Sequence, residues 1–257
     1  MNDQAAKLIV DDVRVSYTSK EHDTVAVDNL SLHVKEGEFV SLVGPSGCGK
    51  STLLKVICGL LRPEKGSVIL DDQLIDGVPD SVGFVFQNDA LLPWETILNN
   101  VRLPLAVKKR KKNVQLEQAK QFIELVGLKG FEHYYPKQLS GGMRKRVALA
   151  RAFAYNPELY LMDEPFGPLD AQTRVKIGDA FLKMWEKVGK SVLFVTHDIE
   201  EAIVLSDRVL VMSKRPGRVI AEFSVNLGRP RPYYESRFNE NFKALQKKIW
   251  QIIASEK

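Results

Sequence analysis

A glycine-rich segment at residues 44–51 constrains the fold of this chain more than any other feature. It reads GPSGCGKS, directly follows the apolar run at residues 39–43, and leads into a helical pattern that begins at Lys50. A strand that turns through glycines into a helix is the βα unit of a layered α/β fold. The glycines let the backbone wrap a polyanion, and the N–H groups at the helix start supply positive potential. The segment therefore predicts a phosphate cradle.

Two side chains at the end of the cradle have distinct expected roles. The Lys50 ammonium would reach the β- and γ-phosphates of a nucleoside triphosphate, and the Ser51 hydroxyl would bind Mg²⁺. Lys50 is therefore expected to act both in binding and in catalysis. The nucleotide-binding residues expected in and next to the cradle are Gly44, Pro45, Ser46, Gly47, Cys48, Gly49, Lys50, Ser51 and Thr52.

Short apolar runs alternate with helical patterns along the chain. The runs predict strands at residues 8–10, 39–43, 67–70, 82–86, 159–162, 192–196 and 208–212. The helical patterns lie at residues 50–59, 114–126, 142–155, 171–188, 199–205 and 238–254. Several runs are almost entirely apolar, which is typical of buried parallel strands. This alternation predicts an α/β fold.

Two stretches depart from the alternation. No strand is predicted between about residue 89 and residue 155, so we interpret this stretch as a helical insertion into the sheet domain. Pro230 and Pro232 precede an amphipathic pattern near the end of the chain. We therefore expect a main domain at residues 1–230 and a C-terminal helical extension at residues 231–257.

Composition excludes several other classes of protein. The chain contains no run of about 18 uncharged apolar residues, so no membrane-spanning helix is predicted. The first residues lack the pattern of a secretory signal, and we therefore expect a cytoplasmic location. Cys48 and Cys58 are the only cysteines, too few for a disulfide framework or a zinc site. The net charge of +5 is weak evidence for a nucleic-acid partner, and none is predicted.

A second polar element follows the apolar run at residues 159–162. Asp163 and Glu164 end this run, which would deliver both carboxylates to the carboxyl edge of the sheet, where ligands of open α/β folds collect. Asp163 is expected to hold Mg²⁺. Glu164 lies one residue further on and is expected to polarise the attacking water as a general base.

A third element stands one helix ahead of this acidic pair. Residues 139–143 read LSGGM, and together with the two elements above they make the chain resemble an ATP-binding-cassette ATPase, whose signature sequence they match. Ser140 can cap the following helix, and Gly141 and Gly142 expose N–H groups at its positive end. In that family this end binds the γ-phosphate of ATP held by the opposite subunit, so the resemblance implies a homodimer. Met143 replaces the usual glutamine and cannot make its polar contacts.

Three further residues match family positions one at a time. Tyr17 matches the aromatic residue that stacks on adenine, and Gln87 matches the glutamine that senses Mg²⁺ and the attacking water. His197 matches the switch histidine that contacts the γ-phosphate and orients the catalytic glutamate. The fold that the resemblance implies is a P-loop NTPase core with a mixed sheet, an antiparallel β subdomain and an inserted helical subdomain.

The loop at residues 166–170 matches the family loop by which each subunit touches the other's site. Asp170 stands at the position of the family's aspartate and is expected to take part in nucleotide binding. Pro168 replaces the usual small residue, and its ring restricts both its own backbone and that of Gly167. Communication between the two sites is therefore expected to differ from that of other family members.

Short phrases in the chain resemble the nitrate, sulfonate, taurine and bicarbonate importers of this family. They lie at residues 89–94 (DALLPW), 139–152, 165–174 and 214–219. The resemblance implies an ATP-hydrolysing subunit, peripheral to the cytoplasmic face of the membrane, that energises uptake of a small anionic solute with ATP and Mg²⁺ as cofactors. Integral permease subunits and an extracytoplasmic solute-binding protein would be separate chains.

Two other functions stay open on the sequence. One is a soluble cassette ATPase acting on nucleic acid or the ribosome, although such proteins usually carry two cassettes or a long coiled-coil insertion. The other is an ATP-binding scaffold without activity, against which Lys50, Asp163, Glu164 and His197 all argue. The basic run at residues 108–112 has no interleaved aromatic residue and is interpreted as a solvated connection.

Overall fold

The computed structural model describes residues 6–18 and 23–256 of the chain. Its strands are β1 (Ala6–Thr18), β2 (Asp23–Lys35), β3 (Phe39–Val43), β4 (Lys65–Leu70), β5 (Gln73–Leu74), β6 (Val82–Val85), β7 (Leu159–Asp163), β8 (Ser191–Thr196), β9 (Arg208–Met212) and β10 (Val219–Ser224). Its α-helices are α1 (Lys50–Ile57), α2 (Ile97–Val107), α3 (Lys112–Leu125), α4 (Gly141–Tyr155), α5 (Ala171–Val188), α6 (Ile199–Leu205) and α7 (Glu240–Ser255).

The strands form one mixed and one antiparallel sheet. The mixed sheet has the order β10-β9-β3-β8-β7-β6, in which all neighbours are parallel except β10 and β9. The antiparallel sheet has the order β2-β1-β4-β5. Every residue of β3, β7, β8 and β9 is buried, which explains why their sequences are mostly apolar. The predicted fold class is confirmed.

The sequence analysis did not predict several elements, because their residues follow no clear strand or helix pattern. β2 alternates between buried and exposed residues in its second half, and β10 alternates between half-buried and exposed residues, so neither contains the long apolar run that marks a central parallel strand. β5 has only two residues, both exposed. α2 contains Pro104, a residue that usually argues against a helix interior.

Some predicted boundaries were also wrong. β1 extends well beyond residues 8–10 because it pairs with β2 on one side and β4 on the other. β6 ends at Val85, so residue 86 lies outside it. α1 ends at Ile57 rather than at residue 59, where Gly59 adopts a positive φ of 73°. α7 begins at Glu240 rather than at residue 238, and Asn239 caps it through its side chain.

Three helices occupy the middle of the chain. Within residues 89–155, all of which the structure describes, there is no strand. α2 and α3 pack against α4, and the Thr96 and Ser140 side chains cap α2 and α4. Val101, Ile123 and Leu149 of these helices belong to the same hydrophobic core as one face of the mixed sheet. α4 also packs against β6, so this helix is held in place relative to the edge of the mixed sheet.

The C-terminal helix α7 packs against α6 and β9. Phe242 and Ile249 are its buried anchors, and Tyr233 fills space that exists because residue 178 is a glycine. A Cβ atom at Gly178 would lie 2.5 Å from the Tyr233 ring. No helix among the described residues has both the length and the apolar character needed to cross a membrane.

Candidate functional site

The predicted cradle links the carboxyl end of β3 to the first turn of α1. Gly47 and Gly49 adopt φ angles of 76° and 105°, which side chains larger than hydrogen rarely allow. A Cβ atom at Gly49 would also lie 2.7 Å from the Ala26 carbonyl oxygen. The glycines therefore allow a tight loop whose N–H groups surround the start of the helix.

Lys50 turns its side chain back over this loop. Its Nζ atom donates to the carbonyl oxygens of Gly44 and Pro45, each at 2.8 Å, and the side chain is 6% exposed. Backbone acceptors thus hold the ammonium inside the cradle. A buried cation at a helix N-terminus offers a strong site for an anion.

The acidic pair lies beside the cradle, as the strand prediction required. Asp163 is the last residue of β7, and burial raises the pKa of its carboxyl, although a hydrogen bond from the Ser51 hydroxyl opposes the shift. Glu164 follows in a left-handed conformation with φ of 46°, and its N–H donates to the Val195 carbonyl at 2.9 Å. This bond fixes the Glu164 backbone against β8.

His197 meets Glu164 at the same edge of the sheet. Its Nδ1 atom lies 3.2 Å from Glu164 Oε2, and its side chain is 59% exposed whereas that of Glu164 is 21% exposed. The two residues follow β7 and β8, which are adjacent parallel strands, so their ends lie side by side. An imidazole next to a carboxylate can orient it by hydrogen bonding or take part in proton transfer.

These elements line one cavity of about 570 Å³. The Tyr17 hydroxyl at its edge lies 3.1 Å from Thr52 Oγ1. The predicted site residues that line the cavity are Tyr17, Ser46, Gly47, Gly49, Lys50, Ser51, Thr52, Gln87, Glu164 and His197. Gly44, Pro45 and Cys48 belong to the same loop but do not line this cavity, and neither does Asp163.

Four other predicted nucleotide contacts do not line this cavity, namely Ser140, Gly141, Gly142 and Asp170. Ser140 caps α4 by accepting a hydrogen bond from the Met143 N–H at 3.2 Å. Asp170 caps α5 in the same way by accepting from the Thr173 N–H at 3.0 Å. Ser140 and Asp170 thus stand at the starts of α4 and α5. Within one copy of the chain, these four residues do not line the cavity at the cradle.

Three residues that sequence reasoning missed also line the cavity. They are Thr24 and Ala26 on β2 and Arg215 in the loop between β9 and β10. Arg215 donates from Nε at 3.1 Å and from Nη2 at 2.9 Å to the Gly47 carbonyl oxygen. The family phrase at residues 214–219 was the only sequence signal that pointed to Arg215. Its contact with Gly47, 168 positions earlier in the chain, depends on the order of strands in the sheet.

The segment after β6 is fixed to the start of α4. Lys145 donates to the Gln87 carbonyl at 3.0 Å and also to the Phe86 carbonyl, and burial lowers the pKa of its ammonium to about 8. Arg144 pairs with Asp89 at 2.8 Å. The position of Gln87 at the cavity is therefore coupled to the helix that carries the signature sequence.

The fold and the cavity together define the class of protein. A glycine loop joins the central parallel strand β3 to a helix, and Glu164, which follows β7 two strands away, lines the same cavity as that loop. This is the arrangement of a P-loop nucleotide-binding protein.

Comparison with known proteins narrows the class. Residues 27–167 match the family described as ABC transporter. An uncharacterized ABC transporter ATP-binding protein of Methanocaldococcus jannaschii is 47% identical over 250 residues, covering 97% of this chain and 92% of that protein. The aliphatic sulfonates import ATP-binding protein of Bacillus cereus is 44% identical over 236 residues, 91% of each chain.

A solved structure leads to the same family. It is a dimeric, post-hydrolysis state of an ATP-binding cassette bound to ADP and Pi, with a TM-score of 0.79 and 37% sequence identity. The similarity covers 86% of this chain and 100% of that one. The chain belongs to the ABC transporter family and is an ATPase that binds ATP.

Proposed function

We propose that this chain is the ATP-hydrolysing subunit of an ABC importer that takes up a small anionic solute such as a sulfonate, nitrate or taurine. The observation that carries the proposal is the 44% identity, over most of both chains, to a protein named for import of aliphatic sulfonates. Intact Lys50, Glu164 and His197 around one cavity support an active enzyme rather than a scaffold.

Each side chain at the cavity has a proposed role in binding. The cradle amides and Lys50 bind the phosphates, since N–H donors and an ammonium converge there. Tyr17 stacks on the adenine ring, because it stands exposed at the open edge of the cavity next to Thr52.

The residues near Asp163 fit a Mg²⁺ ion. The Ser51 hydroxyl, the Gln87 amide oxygen and the Asp163 carboxylate are oxygen donors of the kind that Mg²⁺ prefers. The Ser51 hydroxyl is close enough to Asp163 to lower the pKa of its carboxyl, and Gln87 lines the same cavity as Ser51. Mg²⁺ bound there would neutralise charge on the phosphates of the nucleotide.

Hydrolysis is proposed to depend on Glu164 as the general base. Its carboxylate faces the cavity, and its neighbour His197 is placed to hold it in a defined orientation. Glu164 polarises a water molecule for attack on the γ-phosphorus, while Lys50 and His197 stabilise negative charge that develops on the phosphoryl oxygens. Gln87 is placed to position the same water.

The active unit is proposed to be a homodimer. Ser140, Gly141 and Gly142 lie at the positive start of α4, outside the cavity of their own subunit. A second copy would bring these N–H groups to the γ-phosphate, and Asp170 would reach the partner's site from the loop before α5. The similarity to a dimeric cassette supports this arrangement.

The proposed partners outside the dimer are permease subunits in the membrane, with a solute-binding protein acting through them. The segment after β6 exposes Trp94, whose side chain is 69% exposed, and Lys145 ties this segment to α4. A permease that pushes on the segment would therefore move Gln87 and the signature helix together. The chain would work peripherally at the cytoplasmic face of the membrane.

The test is reconstitution with a candidate permease of the importer type. Proteoliposomes that contain both should take up a sulfonate, nitrate or taurine only when ATP is enclosed on the side of this chain, and Glu164→Gln should abolish uptake. Uptake that proceeds without ATP hydrolysis, or ATPase activity that responds to ribosomes or nucleic acid but not to the permease, would contradict the proposal.

A further inference from the structure

Arg215 stands at the cavity without a role in the reaction described so far. It is exposed, and it lines the same cavity as Tyr17 and the cradle. Its Nε and Nη2 atoms both donate to the carbonyl oxygen of Gly47, at 3.1 Å and 2.9 Å. Among the residues that the structure describes, no carboxylate pairs with this guanidinium. It therefore brings an uncompensated positive charge to the glycine loop.

The loop that carries Arg215 is held tightly against the cradle. A Cβ atom at Gly217 would lie 2.1 Å from the Cys48 carbonyl oxygen, so only glycine permits this approach. The Gly217 N–H donates to the Ala26 carbonyl at 3.0 Å, and its own carbonyl accepts from the Asp28 N–H at 3.2 Å. These backbone contacts join the loop to both the cradle and β2.

The other end of the loop is fixed as well. The Lys214 N–H donates to the Glu256 carboxylate at 3.2 Å, and the Ser213 hydroxyl accepts from the Arg218 N–H at 3.1 Å. The Arg215 side chain thus projects from a backbone that is anchored on both sides. An arginine held in this way loses less entropy when it binds a ligand than a freely moving one.

We propose that Arg215 is a further nucleotide-binding residue, which contacts the polyphosphate from the side of the cradle opposite to the switch histidine. β9 and β8 flank β3 on its two sides, so the loop after β9 and His197 after β8 approach the cradle from opposite directions. Lys50 reaches the phosphates from within the loop and Arg215 from its rim. This inference rests on the proposed cradle and adds a second cation to it.

The chemistry of the guanidinium fits this role. Arginine has five N–H donors, and the two contacts to Gly47 leave the donors on Nη1 and one on Nη2 for phosphate oxygens. Guanidinium–phosphate hydrogen bonds are among the stronger ones because both groups are charged. The two bonds to Gly47 also hold the planar group against the glycine loop.

The test is equilibrium binding of two ligands, ATP and inorganic tripolyphosphate, measured by calorimetry without divalent ions so that hydrolysis does not proceed. Arg215→Ala should weaken both ligands by about tenfold, the effect of losing one charge-assisted hydrogen bond. Arg215→Gln keeps a donor for Gly47 but lacks the charge, and it should weaken both ligands to a similar degree. Arg218→Ala, an exposed arginine in the same loop that does not line the cavity, should bind within about twofold of the parent.

Three results would overturn the inference. If Arg215→Gln binds both ligands as the parent does while Arg215→Ala is weakened, Arg215 only braces Gly47. A loss confined to ATP would assign the contact to the base or ribose. No loss in Arg215→Ala, together with lost ATP binding in Lys50→Ala, would remove Arg215 alone and leave the proposed function standing, whereas a parent chain that binds neither ligand would remove both.

Discussion

The imidazole of His197 faces the carboxylate of Glu164, with Nδ1 3.2 Å from Oε2. The two residues are 33 positions apart in a chain of 257, and they meet because β7 and β8 are parallel neighbours. Glu164 takes a left-handed backbone conformation at this point, with φ of 46°, and such conformations in larger residues are concentrated at functional sites. The pair is the part of the site most directly open to test.

Glu164→Gln should stop hydrolysis while leaving ATP binding intact. An amide cannot accept the proton of the attacking water, so turnover should fall by about 10² to 10⁴. The variant with ATP should accumulate as a closed dimer, which light scattering would detect as a doubled mass. Glu235→Gln, an exposed carboxylate on the surface, is the matched control. Hydrolysis by Glu164→Gln at the parent rate would rule out Glu164 as the base.

His197→Ala should also lower turnover, by about 10² or more, because Glu164 loses the neighbour that orients it. The side chain is largely exposed, so thermal unfolding should change little, and this separates a catalytic effect from a structural one. Steady-state hydrolysis and a melting curve on the same preparation make the comparison. A variant that melts much earlier than the parent would point to a structural role instead.

Lys50→Ala should lose ATP affinity as well as turnover. The buried ammonium lies between the Gly44 and Pro45 carbonyl oxygens, where it is within reach of bound phosphates. Lys55→Ala removes an exposed lysine from the same helix and should bind ATP as the parent does. Calorimetric titration of both variants with ATP measures the difference. Equal affinities for the two would contradict the assignment of the cradle.

Tyr17→Ala should weaken ATP binding by about 1–3 kcal/mol, the usual cost of removing an aromatic stacking partner of a base. Tyr17→Phe should bind nearly as well as the parent, because it keeps the ring and loses only the contact of its hydroxyl with Thr52. Inorganic tripolyphosphate should bind all three chains alike, since it has no base. Equal ATP affinity in Tyr17→Ala and the parent would exclude stacking.

Stability should depend on pH through Glu201, a buried residue of α6. Burial raises the pKa of its carboxyl to about 7, and the charge of Asp198 acts in the same direction. The folded chain therefore keeps this proton at pH values where the unfolded chain has released it. The stabilisation is complete below about pH 4 and is lost as the pH rises through about 7.

Glu201→Gln cannot ionise and should lack this dependence. Its free energy of unfolding, taken relative to the parent, should rise by at most about 3 kcal/mol between about pH 4 and pH 8. Urea unfolding at several pH values measures the trend, with the exposed Glu240→Gln as the control. A relative stability that stays constant, or falls with pH, would show that the Glu201 pKa is not raised.

The sequence was most informative where one local pattern carries the whole signal. The bounds of β3 and α5 were predicted from periodicity and composition, and the cradle between β3 and α1 was predicted from its glycines. The half-buried β2 and β10 were missed because their sheet partners, rather than their own composition, stabilise them. The signature residues were recognised through the family resemblance, which also implied that they act on the nucleotide of the opposite subunit, and in one copy of the chain they do not line the cavity.

Local chemistry was enough to name the cradle, the acidic pair, the helix caps and the family, because each depends on residues close together in the chain. The resemblance implied that His197 orients Glu164, but only the tertiary structure decided the distance between their side chains, that Arg215 reaches Gly47, and that Lys145 holds the Gln87 backbone. These contacts join separate strands and helices, and the order of strands in the mixed sheet brings them together. Short-range propensities contain no information about that order, because it is selected by the burial of whole faces of sheet and helix against one another.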